Sequence, residues 1–456
     1  MSAFPRSPAR HGAGAVSRIH VVGAGLAGLA CATALAATGR PVTLYEAATQ
    51  AGGRCRSYGD ARLGCRIDNG NHLILGANPD TFRYLDRTGG RDGLCPVAPA
   101  AIPFHDLADG STWTVRPGAG PLPLWLLDPA RRVAGVAALP HLAPLRLALA
   151  GADATVASML PLDTPLGRRL WRPLAVSILN TEPEAASARL LWSVLSQTLL
   201  KGEAACRPHI AREGLSEALV DPALAFLSGA GAELRLPARL RALEVGNGAV
   251  TTLRFDGGQR VDLSPGERVV LAVPAWQAAD LLPGLRVPTE HRAILNAHFR
   301  LPAPVAPAPA ALPGGLPLLG LVGGTAEWLF QRGDVLSVTV SAADRLTGED
   351  SDTLAVRLWS DIARALCLPD ACPPAHRIVK EKRATFAATP DVVADRPGPR
   401  TDLGNLLLAG DWTDTGLPAT IEGAVLSGHR AAEILLRDQI GNSAAATRRP
   451  SASRTL

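Results

Sequence analysis

Several things are scarce in this chain. The seven cysteines form no Cys-x-x-Cys pair and their number is odd. That pattern speaks against a disulfide framework and suits free thiols in a reducing compartment. The first seventeen residues hold no apolar core segment, so no secretory signal is expected and a cytoplasmic location is. Aromatic residues make up only 4%, which leaves little for an aromatic cage around an amine. Excess charge is also slight. Lys plus Arg number 46 against 41 acids, a net charge of +5. Part of that excess sits in Arg6, Arg10, Arg18, Arg448, Arg449 and Arg454, and the rest is mostly scattered arginine. A nucleic-acid protein would gather such residues on one element, so no nucleic-acid partner is expected. One long uncharged run exists, residues 301–326, but Pro302, Pro304, Pro307, Pro309, Pro313 and Pro317 interrupt it. Each proline deletes a helix donor and clashes with the preceding turn, which excludes a spanning helix. A loop over a pocket, or a poorly ordered linker, is expected there. No metal-ligand constellation and no Ser–His–Asp spacing is present.

What is present describes a globular protein. At 456 residues, 47% apolar and 19% charged, the chain is long enough for two or three domains. "RIHVV" (18–22) reads as a short buried strand. "GAGLAG" follows, placing Gly23, Gly25 and Gly28 in the G-x-G-x-x-G pattern. Leu26 and Ala27 open an Ala- and Leu-rich helix to Ala37. "PVTLYE" is a second strand ending on Glu46, with Ala47 beyond it. Gly23 permits the turn, Gly25 lets a pyrophosphate lie against the backbone, and Gly28 lets the helix approach the strand. The helix N-terminus offers amides and a positive dipole end to phosphates. Glu46 can accept both ribose hydroxyls and would repel a 2′-phosphate. Strand, glycine triplet, helix and acid in this order make a dinucleotide site. FAD and NAD remain open on this motif alone.

Just beyond lies "TQAGGRCRS", with Gly52, Gly53 and Arg54. It resembles the Gly-Gly-Arg segment of the amine oxidase and phytoene desaturase flavoproteins. There the glycine backbone and the arginine lie along the pyrophosphate and ribityl chain, which implies FAD. Many amine oxidases carry an arginine two places before the first glycine; here that position is Gln50. "IDNGNHLILG" (67–76) is similar to the segment that runs beside the flavin ring, with Gly70, Asn71 and His72 in it. "NLLLAGDWTDTGLPATIEGAVLSGHRAAEILL" (405–436) resembles the second flavin signature. The resemblance implies that Gly410 and Asp411 bind the ribityl or pyrophosphate region. It also places Thr420 and Ile421 at the mouth of a helix aimed at the flavin edge, where its dipole stabilises reduced flavin. Glu422 is expected to cap or orient this turn. A middle stretch, "GAELRLPARLRALEVGNGAVTTLRFDGGQRVDLSPGERVVLAVP", is similar to the adenine-side strands of the superfamily, and Leu240 would contact adenine through its backbone.

The expected fold is therefore α/β: a Rossmann-type FAD-binding domain of discontinuous segments, with an α+β substrate domain. Residues 18–89, 208–285 and 401–437 would form the first, 90–207 and 286–400 the second, with disordered tails at 1–17 and 438–456. In the substrate portion, "PLPLWLLDPARRVAGVAALPHLAPLRLALA" (121–150) holds four charged residues, Asp128, Arg131, Arg132 and Arg146. It reads either as buried helices or as an amphipathic patch at a membrane surface through which a lipid enters.

The narrower resemblance rests on "LWRPLAVSILNTEPEAASARLLWSVL" (170–195), "DNGNHLILG", "LGLVGGTAEWLFQR" (319–332), "SVTVSAAD" (337–344) and "GDWTDTGLPATIEGAVLSG". These closely resemble the bacterial hydroxysqualene dehydroxylases of hopanoid and squalene synthesis, over residues 18–437. The resemblance implies a reduced-flavin enzyme that removes the hydroxyl of a lipophilic isoprenoid, hydroxysqualene, and adds hydride to give squalene. Such a reaction needs a proton or strong hydrogen bond for the departing hydroxyl and close stacking against flavin. His72 is the first candidate for that donor and Asn180 the second; Asn180 also reads as a helix N-cap or turn residue ahead of Pro183. The rest of that stretch reads as a helix with Leu190, Leu191, Val194 and Leu195 packed inward. No second glycine-rich fingerprint for NADPH is present, which leaves the electron donor unassigned, with an external reductase or a visiting nicotinamide both open. The rival readings are a carotenoid or phytoene-type desaturase, another amine oxidase-like flavoenzyme, or a non-catalytic isoprenoid carrier.

Overall fold

In a computed structural model the protein is described over residues 17–302, 312–368 and 372–447. The N-terminal tail expected at 1–17, all but its last residue, and the chain after 447 lie outside the described residues. So does 303–311, within the proline-rich run.

From the N-terminus, β1 (Ile19–Val22) leads into α1 (Leu26–Ala36) and β2 (Val42–Tyr45). Helix α2 (Pro79–Thr88) and strands β3 (Ile102–Asp106) and β4 (Thr112–Val115) follow, then α3 (Arg172–Leu179) and α4 (Ala188–Leu195). Next come β5 (Glu233–Arg235), β6 (Leu240–Gly246), β7 (Ala249–Phe255), β8 (Arg260–Asp262), β9 (Arg268–Leu271) and α5 (Ala275–Leu281). Further along lie β10 (His291–Arg300), β11 (Leu318–Val322), β12 (Trp328–Arg332), β13 (Val335–Val340), α6 (Ser351–Leu366), β14 (His376–Phe386), β15 (Leu406–Leu408) and α7 (Ile421–Thr447), with shorter strands and helices between these elements.

Three separated stretches build one parallel sheet of five strands in the order β5-β2-β1-β9-β15. Its inner strands, "IHVV", "VTLY" and "RVVL", are apolar almost throughout, as a sheet covered on both faces requires. Helix α1 buries nearly every residue against it. Helix α7 packs on α1 so closely that a Cβ on Gly428 would overlap the Ala27 carbonyl. Burial here pushes the Cys31 and Cys55 thiols up to about 12, which makes them inert packing groups.

The second lobe is a seven-stranded sheet, β14-β10-β13-β12-β11-β3-β4. Alternation along its strands divides it into two faces. Leu295, Ala297, Phe299, Leu336 and Val338 pack on Leu354, Leu358 and Ile362 of α6. Trp328, Phe330, Leu318 and Phe104 join a different core with Leu190, Leu191 and Leu195 of α4. Asn296 and Thr339 lie on this second side as well, against residues 69–71 of the first lobe.

Four local readings need correction. The turn that enters α4 is later than expected: α3 runs to Leu179 and Asn180 ends it in the left-handed region at φ 49°, a conformation asparagine tolerates. Helix α4 starts at Ala188 on the Ser187 cap. Its Leu190, Leu191 and Leu195 are buried, while Val194 is only half-buried. Residues 121–150 are not buried helices. Pro123, Pro129, Pro140 and Pro144 restrict them to 3₁₀ structure, in two short turns at Leu124–Leu127 and Pro129–Arg131 and a stretch of 11 residues at Leu139–Leu149. Within 301–326 the described part includes strand β11, where the run is free of proline. Finally, α7 continues to Thr447, past residue 438. No helix among the described residues is long and apolar enough to cross a membrane.

Candidate active site

The glycine loop is held by its backbone. Gly23 has φ 105°, donates to the Tyr45 carbonyl at 2.7 Å, and leaves no room for a Cβ beneath Ala272. A Cβ on Gly28 would overlap the Gly23 carbonyl. Gly25 is different: a Cβ there would meet nothing within 4 Å. Protein packing does not ask for glycine at this position, but a pyrophosphate lying on the backbone does. Gly25 is the N-cap of α1 and offers no side-chain cap, so no cap side chain fills the helix mouth, where Leu26 and Ala27 open the first turn.

The Gly-Gly-Arg segment docks on this loop. Gly52, at φ 106°, donates to the Ala24 carbonyl at 2.8 Å, and a Cβ on Gly53 would sit 3.4 Å from the Gly25 Cα. Glu46 takes the Ala24 amide on Oε2 at 2.8 Å and the Ala48 amide on Oε1 at 2.9 Å, spanning Ala47. Its carboxylate is thereby fixed at the loop, with lone pairs left over for a ribose. The Glu46 carbonyl accepts from Ala238 at 2.6 Å, which brings the start of β6 and Leu240 alongside. Gln50, where many amine oxidases carry arginine, spends its amide on the Ser57 carbonyl at 2.8 Å.

Arg54 and Asp411 were separate expectations, and the structure joins them. Arg54 Nη2 meets Asp411 Oδ1 at 2.7 Å, and Nη1 donates to the Ala384 carbonyl. The arginine is half-exposed and the aspartate buried. Much of the charge expected to serve phosphate is thus balanced by the protein, and the pair locks the two flavin signatures together. Gly410, at φ 151°, donates to Ser427 Oγ at 2.8 Å. Thr420 Oγ1 accepts the Gly423 amide at 3.1 Å and so caps α7, with Ile421 as its first residue. Glu422 reaches away to α2. It accepts the Asp80 amide at 3.0 Å, the Thr81 amide at 2.9 Å and Thr81 Oγ1 at 2.7 Å, so it caps α2 and not, as expected, its own turn.

On the second lobe's side, Gly70 packs on Asn296, since a Cβ on it would lie 3.1 Å from the Asn296 amide nitrogen. Asn71 Nδ2 donates to Thr339 Oγ1 at 3.1 Å, and Thr339 donates to Asn296 Oδ1 at 2.8 Å. His72 follows directly. No described residue hydrogen-bonds to its ring, and burial pushes its pKa down from 6.5 to about 4. The ring is therefore neutral near neutral pH and can still give one N–H, which keeps His72 a candidate donor. Asn180 is spent on the fold. Its Nδ2 donates to Thr385 Oγ1 at 2.9 Å and to the Arg292 carbonyl at 3.4 Å, while Oδ1 accepts the Ala342 amide at 2.7 Å. Both donor hydrogens are used, which leaves none for a substrate hydroxyl.

Sequence reasoning missed several residues. Asn296 and His298 alternate with Leu295, Ala297 and Phe299, so a period-two reading would have put them on a face of their own. Glu327 accepts the Ser341 amide at 2.7 Å, and burial pushes its carboxyl up to about 7. Buried Arg396 donates to the carbonyls of Asp411 (3.1 Å), Leu417 (2.8 Å) and Thr413 and to Thr415 Oγ1 (3.0 Å), tying down the loop within the second signature. Its guanidinium lies 4.8 Å from the Phe386 ring centroid. No spacing signals Glu327 or Arg396. Among the described residues no cluster of His, Cys, Asp and Glu is placed to hold a metal ion.

Comparison with known proteins agrees with this geometry. The sequence profile of flavin containing amine oxidoreductases matches residues 26–436. The hydroxysqualene dehydroxylase of Rhodopseudomonas palustris is 46% identical over 92% of this chain and 98% of its own length. Those of Sinorhizobium fredii and Zymomonas mobilis are 45% and 41% identical, again over 92% of the chain, and over 98% and 99% of their own lengths. A probable zeta-carotene desaturase of Synechococcus elongatus is more distant, at 24% over 92% of the chain and 99% of its own length. Among solved structures, cyclohexylamine oxidase from Brevibacterium oxydans superposes with a TM-score of 0.69 at 16% identity, covering 93% of this chain and all of that one. A putrescine oxidase bound to putrescine gives 0.64 at 18%, over 92% of this chain and 99% of that one, and these two likenesses show the fold. The chain therefore belongs to the flavin containing amine oxidoreductases and, within them, to the hydroxysqualene dehydroxylase family.

Proposed function

We propose that the protein reduces the allylic alcohol hydroxysqualene to squalene, releasing water, with FAD as its cofactor. One observation carries this reading: the three relatives of that name align end to end at 41–46% identity. The open backbone at Gly25, the uncapped α1 terminus and the fixed Glu46 carboxylate fit a dinucleotide, and the docked Gly52–Gly53 turn and the Asp411 loop fit the rest of FAD. Segments 18–89, 208–285 and 401–437 are the proposed cofactor domain, and 90–207 and 286–400 the substrate domain.

Reduced FAD, when bound, supplies the hydride that replaces the hydroxyl. The chain's own residues do the rest. Trp328 and Phe330 of the sheet keep a little accessible surface above the core they share with Leu318, Phe104, Leu190 and Leu191, and they are the proposed apolar wall that faces a polyene and keeps water from an allylic cation. The Asn71–Thr339–Asn296 chain holds the His72 segment against the sheet. The neutral His72 N–H is the proposed hydrogen-bond donor to the departing hydroxyl. Asn180 is a positioning residue that joins α3 to β10 and β14. The electron donor is proposed to be an external reductase or a transiently bound nicotinamide.

Anaerobic incubation of pre-reduced enzyme with hydroxysqualene tests direction and substrate together. Squalene should form while the flavin reoxidises. Bleaching of oxidised flavin by squalene or phytoene, with no reoxidation by hydroxysqualene, would instead mark a desaturase. A colourless protein that releases no flavin on denaturation would mark a carrier.

A further inference from the structure

Among the described residues the exposed apolar surface is concentrated in one segment. Among the described residues eight large aliphatic side chains stand exposed, and six of them lie between Leu122 and Leu149. Leu127, Leu139 and Leu149 are 72%, 76% and 85% exposed, values that ordinary packing would not leave on adjacent turns of one segment. The same turns are anchored from below. Leu126, Val133 and Leu147 are buried in the core that also holds Leu190 and Leu191 of α4 and Trp328 of the sheet. The segment thus has an apolar inner side that continues into the proposed substrate wall and an apolar outer side turned to solvent. Clustered exposure of this kind marks an interaction surface.

The charges nearby are mostly of one sign. Arg116, Arg146 and Lys201 are exposed, and no hydrogen bond or ion pair engages their side chains. Arg131 donates only to the carbonyls of Arg116 (3.0 Å) and Pro117 (2.9 Å), and Arg132 to that of Leu126 (2.8 Å), so both keep their charge. Lys201 neighbours the start of the segment, since a Cβ on Gly202 would lie 2.7 Å from the Gly120 carbonyl. Asp128 is the only acid within 121–150, and one of its oxygens takes the Ala130 amide at 3.0 Å.

We propose that residues 121–150 are the face by which the protein docks on an anionic lipid bilayer. The exposed leucines enter the boundary between headgroups and acyl chains, and the free cations meet the lipid phosphates. The purpose of docking rests on the lipid-substrate reading, because an isoprenoid alcohol partitions into a bilayer and away from water. Docking itself needs no substrate and fails or holds independently of the chemistry.

The test is flotation of the FAD-loaded full chain with vesicles of phosphatidylcholine alone or with about one-third phosphatidylglycerol, in the absence of substrate. Binding to the anionic vesicles, weakened by salt, is expected. The variant Leu124→Ser/Leu127→Ser/Leu149→Ser should bind about tenfold more weakly or worse. Arg116→Gln/Arg146→Gln/Lys201→Gln should lose the preference for phosphatidylglycerol. Both should retain the flavin spectrum and turnover of detergent-dispersed substrate, which shows that they fold. Wild-type protein that stays off both vesicles, or a leucine variant that floats as wild type does, overturns the proposal. So does a dimer in light scattering that the leucine variant abolishes while no vesicles are bound, which would give the face to a second copy of the chain.

Discussion

At the scale of single residues, burial sets three protonation states that matter at working pH. His72 and His298 are both pushed down to about 4, chiefly by loss of solvent. An unfolded chain would protonate them near 6.5, so their contribution to stability is present above about 6.5 and is lost as pH falls through about 4. Glu327 has the opposite sign. Its folded value of about 7 lies above the unfolded 4.5, so its contribution is present below 4.5 and lost as pH rises through about 7. Glu327→Gln keeps an acceptor for the Ser341 amide and removes the titration. The variant should be more stable than wild type at pH 8 and show little difference at pH 4.5, measured by urea unfolding at each pH. Equal stability at pH 8 would mean that the carboxylate is not desolvated. For His72, the proposed role as a neutral donor predicts no inflection near 6.5 in the single-turnover rate of reduced enzyme. His72→Ala should slow that turnover by about a hundredfold, with a shared inflection, if any, belonging to another group. An unchanged rate would remove His72 from the chemistry.

At the scale of elements, the glycine loop separates folding from binding. Gly28 is needed by the protein, because its Cβ would overlap the Gly23 carbonyl. Gly25 has φ −73° and open space, so alanine fits it without strain. Gly25→Ala should leave the apoprotein's thermal unfolding unchanged and weaken FAD binding about tenfold or more, read by flavin fluorescence titration. Gly28→Ala should lower the melting temperature of the apoprotein itself. The same loop shows what a sequence discloses. Strand, turn and helix were legible to within a residue, because burial and glycine placement are local. The Arg54–Asp411 pair was not, since its members are 357 positions apart and only the folded chain brings them together. Asn180 misled for a related reason. A polar residue ahead of a proline looks like the start of the next helix, whereas here it ends the previous one, and its partners lie on β10 and β14 and at Ala342. Residues 121–150 likewise suggested helices from their composition, and their prolines decided otherwise.

At the scale of the whole molecule, the cofactor sheet takes strands from three distant stretches, and the residues between them build the other lobe. Neither lobe is a contiguous piece of chain, so their junction has to be made by individual contacts. Asp68 makes one of the buried ones. Its Oδ1 accepts Ser57 Oγ at 2.6 Å and the Leu215 amide at 2.9 Å, while Oδ2 pairs with Arg332 of β12 at 2.7 Å. The carboxylate is 5% exposed and the guanidinium 30%, so water compensates the arginine only partly when its partner goes. Asp68→Asn should destabilise the protein by about 2–3 kcal/mol, and Arg332→Met added to it should recover part of the loss because no uncompensated cation remains. With the lobes joined in this way, flavin release and loss of helical signal should occur in one transition in wild type and move down together in Asp68→Asn. Flavin release that precedes helix loss by many degrees would show two units that melt apart, and the Asp68–Arg332 pair would then be a contact of one lobe's edge instead of the joint between them.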